Sequence, residues 1–240
     1  MGRVSVVGVS RAGLAAALAA VALATSLVPA GRAASHTPRA GSIVGVATTK
    51  EPALKPIRVT IDTATCGESL PDEAITVDAT GKIAGVVVSI AGAKVAAPAE
   101  APIVNEKCRF VPRVSVLKPG GAVKMTSHDP MIHTMHAATG DARALFNVSL
   151  PLPNLTVSRP IDRAGVVTLT CSTHTWMRGY LFVTDELTAV TGADGRFKLD
   201  GVPPGTHQLK VWHEALKVAT PVTVTVKDGE TATVTLTLAK

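Results

Sequence analysis

The sequence predicts an all-β chain, and three observations predict it. Short runs rich in Val, Ile and Thr recur along the chain and are broken by Gly, Pro and Asp. Beyond the N-terminal segment, no long stretch has the apolar period of an amphipathic helix. The segment from Thr231 to Leu238 alternates apolar and polar residues with a strict period of two. Such patterning favours a sandwich or barrel over βαβ units. Aromatic residues make up only 3% of the chain, so the cores must be built from Val, Ile, Leu and Ala.

Residues 1–33 differ from the rest. Arg3 and Arg11 precede an Ala-rich apolar run from Ala12 to Val28, and small residues follow in Val28-Pro29-Ala30 and Gly31-Arg32-Ala33. This is the layout of a secretory signal peptide. The run approaches bilayer-spanning length, so a retained anchor is the alternative. Cleavage is expected because alanine is only weakly apolar and cleavable sites follow directly. Residues 1–33 hold three arginines and no acid, so their removal takes the net charge from +6 to +3. The remaining Lys and Arg are scattered, which argues against a nucleic-acid partner. No later segment is long and apolar enough to span a membrane. A periplasmic or secreted protein is expected.

A linker over residues 34–40 leads into the strand-like runs. These are Ile43 to Ala47, Ile57 to Ile61, Ala84 to Ile90, Val114 to Leu117, Ala122 to Thr126, Val166 to Thr170 and Tyr180 to Val183. Ala93 to Ala101 and Ala138 to Leu145 are each expected to hold at most a short turn of helix. Turn chemistry at Thr191 to Gly195 and Gly201 to Gly205 opens a second unit, with strands at Arg196 to Leu199, His207 to His213 and Pro221 to Val226. The reading places one domain at 41–187 and a small β-sandwich at 188–240.

Three cysteines leave one over in an oxidising compartment. Cys171 stands three residues before His174, whereas Cys66 and Cys108 have no His or Met nearby. This favours a Cys66–Cys108 disulfide and a Cys171 metal thiolate. A bridge to Cys171 is the alternative and would remove that ligand. The Cys66–Cys108 bridge would close a loop worth roughly 4 kcal/mol in the chain-entropy model.

Two stretches hold most of the candidate ligands: Ser127 to His136, with His128, His133 and His136, and Cys171 to Met177, with His174. A thiolate is soft and suits copper(I), imidazole suits both copper oxidation states, and a thioether is a weak axial donor. That softness favours copper over zinc. Met131 and Met135 are expected to pack, and Trp176 to cover the metal. His213 and Glu214 are expected to form satisfied contacts at an interface.

These stretches resemble the cupredoxins, whose pattern is an early His on one strand, then Cys-x-x-His and Met on a late strand–loop–strand. The resemblance implies His133, Cys171, His174 and Met177 as ligands of one copper ion, with His136 as an alternative. It implies a cupredoxin-like Greek-key β-sandwich. The chain is also similar to exported bacterial proteins called methylamine-utilisation-protein-like. Their pattern is carried here by Cys66-Gly67, Cys108-Arg109-Phe110-Val111-Pro112, Asp129 to His133, Cys171 to Met177 and Trp212-His213-Glu214. Thr134 stands where such cupredoxins have Asn after the first His, which implies a looser ligand loop. Two residues separate His174 from Met177, as in amicyanins. The segment Thr191 to Glu214, with Val202-Pro203-Pro204-Gly205, resembles the carboxypeptidase regulatory-like family, a small transthyretin-like β-sandwich without catalysis of its own. That family's Gly-x-Ile-x-Gly start is present at Gly41 to Gly45. A strand supplied from there would make the copper domain an insertion within the module.

The expected function is electron transfer by a type 1-like copper site, with a cytochrome, dehydrogenase or oxidase as redox partner. Copper delivery, or a structural exported β-protein with a degenerate site, are the alternatives. An enzyme is not expected. No Ser-His-Asp or metalloprotease pattern is present, and seven histidines are too few for a multicopper oxidase.

Overall fold

The computed structural model describes residues 37–94, 97–218 and 221–240. The expected signal peptide and the start of the linker lie outside them. Among the described residues, no helix is long and apolar enough to cross a membrane. The chain is all-β, and the described residues form nineteen strands, numbered here in chain order.

Nine strands form a first sandwich. One sheet runs in the order β10 (Ala144–Leu150), β9 (His133–Thr139), β12 (Gly165–Thr170), β13 (Arg178–Val183), β7 (Val114–Leu117). The other runs β11 (Thr156–Ile161), β8 (Gly121–Ser127), β5 (Glu100–Glu106), β6 (Arg109–Val111). The chain pairs β9 with β10, crosses to β11 beside β8, and returns at β12 on the free side of β9. That is a Greek-key type of path. Period-two alternation builds the core: Val123 and Met125 point inward from β8, Met135 and Ala137 from β9, and Val167 and Leu169 from β12. A small hairpin of β2 (Ile57–Arg58) and β3 (Ser69–Leu70) flanks the four-residue helix α1 (Thr63–Cys66). The Cys66–Cys108 disulfide is formed, with Cα atoms 5.3 Å apart, and Cys171 is free and buried.

The second sandwich has four strands in each sheet. One runs β15 (Arg196–Val202), β1 (Gly41–Thr49), β19 (Thr231–Ala239), β17 (Lys217–Val218), and the other runs β14 (Glu186–Val190), β4 (Val87–Lys94), β16 (Gly205–Trp212), β18 (Val222–Val226). Its strands come from both sides of the 187/188 boundary expected from sequence. β1 lies between β15 and β19, and β4 lies between β14 and β16. The physical reason is strand count: the last 53 residues do not close two sheets unaided. β1 and β4 supply a central strand to each, and their Ile43, Ala47, Val88 and Ile90 are buried in its core.

Of the two Ala-rich stretches read as able to hold a short helical turn, Ala138 to Leu145 forms the β9–β10 hairpin; in the other, Ala93 lies in β4 and Ala101 in β5, and residues 95–96 lie outside the described residues. Alanine's helix propensity yields here to strand pairing. The turn of helix falls instead at Thr63–Cys66, with a 3-10 turn at Glu73–Ile75.

A polar clamp joins the two sandwiches. Arg113 donates from Nε and Nη2 to the two carboxylate oxygens of Glu214, at 2.6 and 2.8 Å, and Tyr180 donates its hydroxyl to the same group at 3.1 Å. Trp212 packs edge-on to Tyr180, with ring centroids 5.1 Å apart. The Nδ1 atom of His213 accepts the backbone N–H groups of Ala215 and Leu216. Both residues of the His213-Glu214 pair are therefore satisfied by protein partners.

Because β1 is central, Ile43→Ala should destabilise the second sandwich although it lies far from it in sequence. Ile43 is fully buried opposite Leu199 and Ala232, and the expected cost is about 2–5 kcal/mol, read as a fall in the denaturant midpoint. A change under about 0.5 kcal/mol would show that β1 does not support this core.

Candidate metal centre

The site grows from the inward phase of two neighbouring strands. β12 buries Val167 and Leu169, and the next residue in that phase is Cys171, one position past the strand end. β9 buries Met135 and Ala137, and the first residue in that phase is His133. Antiparallel pairing of β9 with β12 brings these two ends together. The β12–β13 loop then turns back, with the Met177 N–H donating to the His174 carbonyl at 2.8 Å. That turn aims the His174 ring at the sulfur.

His133, Cys171 and His174 offer one ligand atom each, all within 4.8 Å of one another. Cys171 Sγ lies 3.9 Å from His133 Nδ1 and 3.7 Å from His174 Nδ1. Both histidines are completely buried, and Cys171 is 3% exposed. The two ring centroids are 4.6 Å apart. Both imidazoles therefore present Nδ1 to the thiol.

Their far nitrogens are held by carboxylates. His133 Nε2 donates to Asp129 Oδ2 at 2.9 Å, and His174 Nε2 donates to Asp62 Oδ2 at 2.9 Å. A carboxylate only accepts, so each Nε2 carries a proton. For a neutral ring this leaves the Nδ1 lone pair facing the sulfur, an arrangement that fixes tautomer and ring orientation at metal sites. Asp129 is itself pinned by the backbone N–H groups of Lys107 and Cys108, at 2.7 and 2.9 Å.

The other candidates are placed as follows. Met177 is 1% exposed, in the same core cluster as Cys171. His136 is an odd number of residues from His133 on β9, which sends it to the opposite face, opposite Asn147 and Thr170. His128 is exposed. Trp176 packs edge-on to His174 at 5.3 Å and donates Nε1–H to the Cys108 carbonyl, so it walls the site. Thr134, in place of the expected Asn, accepts the Ser172 N–H at 2.9 Å and lies 3.8 Å from Cys171 Sγ, so its hydroxyl ties the two loops together.

Burial disfavours the Cys171 thiolate, but contact with His133 and the backbone of His174 and Thr134 outweigh it and hold the thiol pKa at about 5. Burial also disfavours the His133 imidazolium, yet the bond to Asp129 and the contact with Cys171 keep its pKa at about 9. At neutral pH the metal-free site is a thiolate–imidazolium pair. The disulfide adjoins it: the sulfurs of Cys66 and Cys108 lie within 4.8 Å of a His174 ring nitrogen.

The hydrogen bonds of the two carboxylates to the histidines were not foreseen from sequence, although Asp129 belongs to the quoted Asp129 to His133 pattern. Asp129 had a local signal, four residues before His133. Asp62 had none, being 112 residues from His174.

A family model for the carboxypeptidase regulatory-like domain matches residues 156–239. The match begins at β11, inside the first sandwich, and runs through every later strand. No curated protein matches the chain. Among solved structures, the chain is similar to a purple cupredoxin from Nitrosopumilus maritimus, 21% identical over 35% of this chain and 99% of that one, with a TM-score of 0.32. It is also similar to a reduced amicyanin mutant, 20% identical over 40% of this chain and 98% of that one, with a TM-score of 0.32.

If the pair is as described, thiolate ultraviolet absorbance of the metal-free protein should titrate with a midpoint near 5, the value at which Cys171 is held. His133→Asn should move that midpoint upward. A native midpoint in the ordinary range of about 8–9 for a thiol would contradict the pairing. The chain thus folds as two β-sandwiches, and its residues 156–239 match the carboxypeptidase regulatory-like domain.

Proposed function

We propose that this chain is an exported mononuclear copper protein that carries electrons and is not an enzyme. His133 and His174 through Nδ1 and Cys171 through Sγ would hold the copper, with the Met177 thioether as a weaker fourth donor. The observation that carries this reading is the buried Cys-His-His cluster with both Nδ1 atoms turned to one preformed thiolate. Two imidazoles and a thiolate with a weak thioether form the donor set of a blue-copper electron-transfer site. Bound copper would supply a one-electron couple.

The chain's own residues supply the rest. Asp129 and Asp62 fix both rings, Thr134 ties the ligand loop to β9, and the two sheets hold the three donors in place. Complete burial of both histidines supports retention of the metal over hand-over to a recipient. The partner is a redox protein such as a cytochrome, dehydrogenase or oxidase. Ile61, Ile132, Leu152 and Leu155 are exposed large apolar residues. Ile61 adjoins Asp62, Ile132 adjoins His133, and Leu152 and Leu155 follow Leu150, the strand partner of His133. Exposed apolar residues next to Asp62 and His133 in sequence suit brief docking of such a partner.

Anaerobic copper titration of metal-free protein should give one equivalent bound and an intense thiolate-to-copper band that Cys171→Ser abolishes. Absence of stoichiometric binding would overturn the copper reading. Binding of copper(I) with no such band in the copper(II) form would point to delivery.

The pKa values of about 9 for His133 and about 5 for Cys171 also set a pH dependence. Between those values Cys171 has already lost its proton and His133 still holds one, which the metal must displace. Apparent affinity should therefore rise with pH across this window, with about one proton released per metal from this pair. A pH-independent affinity over that range would contradict the assigned protonation.

A further inference from the structure

The His174 edge is closed by a residue from a distant segment. Asp62 caps the four-residue helix α1 yet makes no side-chain bond to it. Aspartate at a helix start ordinarily spends its carboxylate on the first N–H groups. Here that carboxylate bonds His174 Nε2 at 2.9 Å instead. The backbone of Asp62 is left-handed, with φ 53° and ψ 31°, a conformation uncommon for non-glycine residues though better tolerated by aspartate than by most.

Local bonds hold it there. The Asp62 carbonyl accepts the N–H groups of Thr65 and Cys66, at 3.0 and 2.9 Å. Cys66 is bonded to Cys108, and Cys108 donates its N–H to Asp129, the carboxylate behind His133. One disulfide thus anchors the supports of both imidazoles. The two supports differ in exposure, since the Asp129 side chain is 4% exposed and that of Asp62 is 42% exposed. Asp62 is therefore the wet end of a path that runs from solvent through its carboxylate and the buried His174 ring to Cys171.

We propose that Asp62 is a positioning residue that fixes the His174 tautomer and closes the site against metal exchange, with the Cys66–Cys108 bridge holding it in place. The inference rests on the copper reading for its metal-exchange half only. Without Asp62, the His174 ring is free to rotate and to take either tautomer, and its outer edge opens to water and competing ligands.

The test uses full-length mature protein as Asp62→Ala and Asp62→Glu variants. The first readout is the nitrogen-15 spectrum of His174 in metal-free protein at mildly alkaline pH. Native protein and Asp62→Glu should show the Nε2–H tautomer, and Asp62→Ala a mixture. The second readout is copper(I) release to an excess of a colorimetric chelator. Asp62→Ala should still bind one equivalent but release it roughly ten-fold faster or more, as loss of such an outer partner typically does, with Asp62→Glu restoring slow release. An unchanged tautomer and unchanged release in Asp62→Ala would overturn the proposal. If native protein binds no copper, the copper reading fails, and the tautomer readout still decides the role of Asp62.

Discussion

Everything at the functional end depends on one thiolate held between two imidazoles where water does not reach. A buried sulfur anion and a buried imidazolium each cost several kcal/mol if left alone. Together, with Asp129 behind His133, they satisfy one another. The surrounding fold keeps them paired. β9 and β12 deliver His133 and Cys171 on the same inward phase, and the turn closed by Met177 brings in His174. The Cys66–Cys108 disulfide then holds the outer carboxylates. Removal of one member leaves the others as buried groups without partners. The site is therefore a structural constraint on the sandwich as well as a candidate centre of chemistry.

The second sandwich solves a different problem. A segment of some fifty residues buries too little surface to be stable alone. Here it takes β1 and β4 from the N-terminal part of the chain, so the first sandwich is threaded between strands of the second. Arg113, Glu214 and Tyr180 clamp the junction, and Trp212 packs over it. This arrangement ties both ends of the first sandwich to strands of the second.

Much of this was legible in the residues. The β-rich runs forecast the strands, because period-two alternation reports directly which side chains face a core. Cys171-x-x-His174, an upstream His-rich stretch and an unpaired third cysteine forecast the cluster and the disulfide. The resemblance put His133 ahead of His136, and the phase of β9 supplies the physical reason, since only one of the two faces looks inward. Asp62 was not legible at all: its partner is remote in sequence and lies on a different element. The interleaving of β1 and β4 was hinted at only by Gly41 to Gly45, since strand pairing across such distances leaves no local pattern. The helical turn at Thr63–Cys66 escaped notice because a disulfide and Asp62, not propensity, hold it.

The central claim is that one metal ion sits between Cys171, His133 and His174. X-ray absorption of the copper-loaded protein tests it most directly. The inner shell should hold one short thiolate sulfur and two imidazole nitrogens, with the short sulfur signal lost in Cys171→Ser. A shell of nitrogen and oxygen donors without sulfur would contradict it.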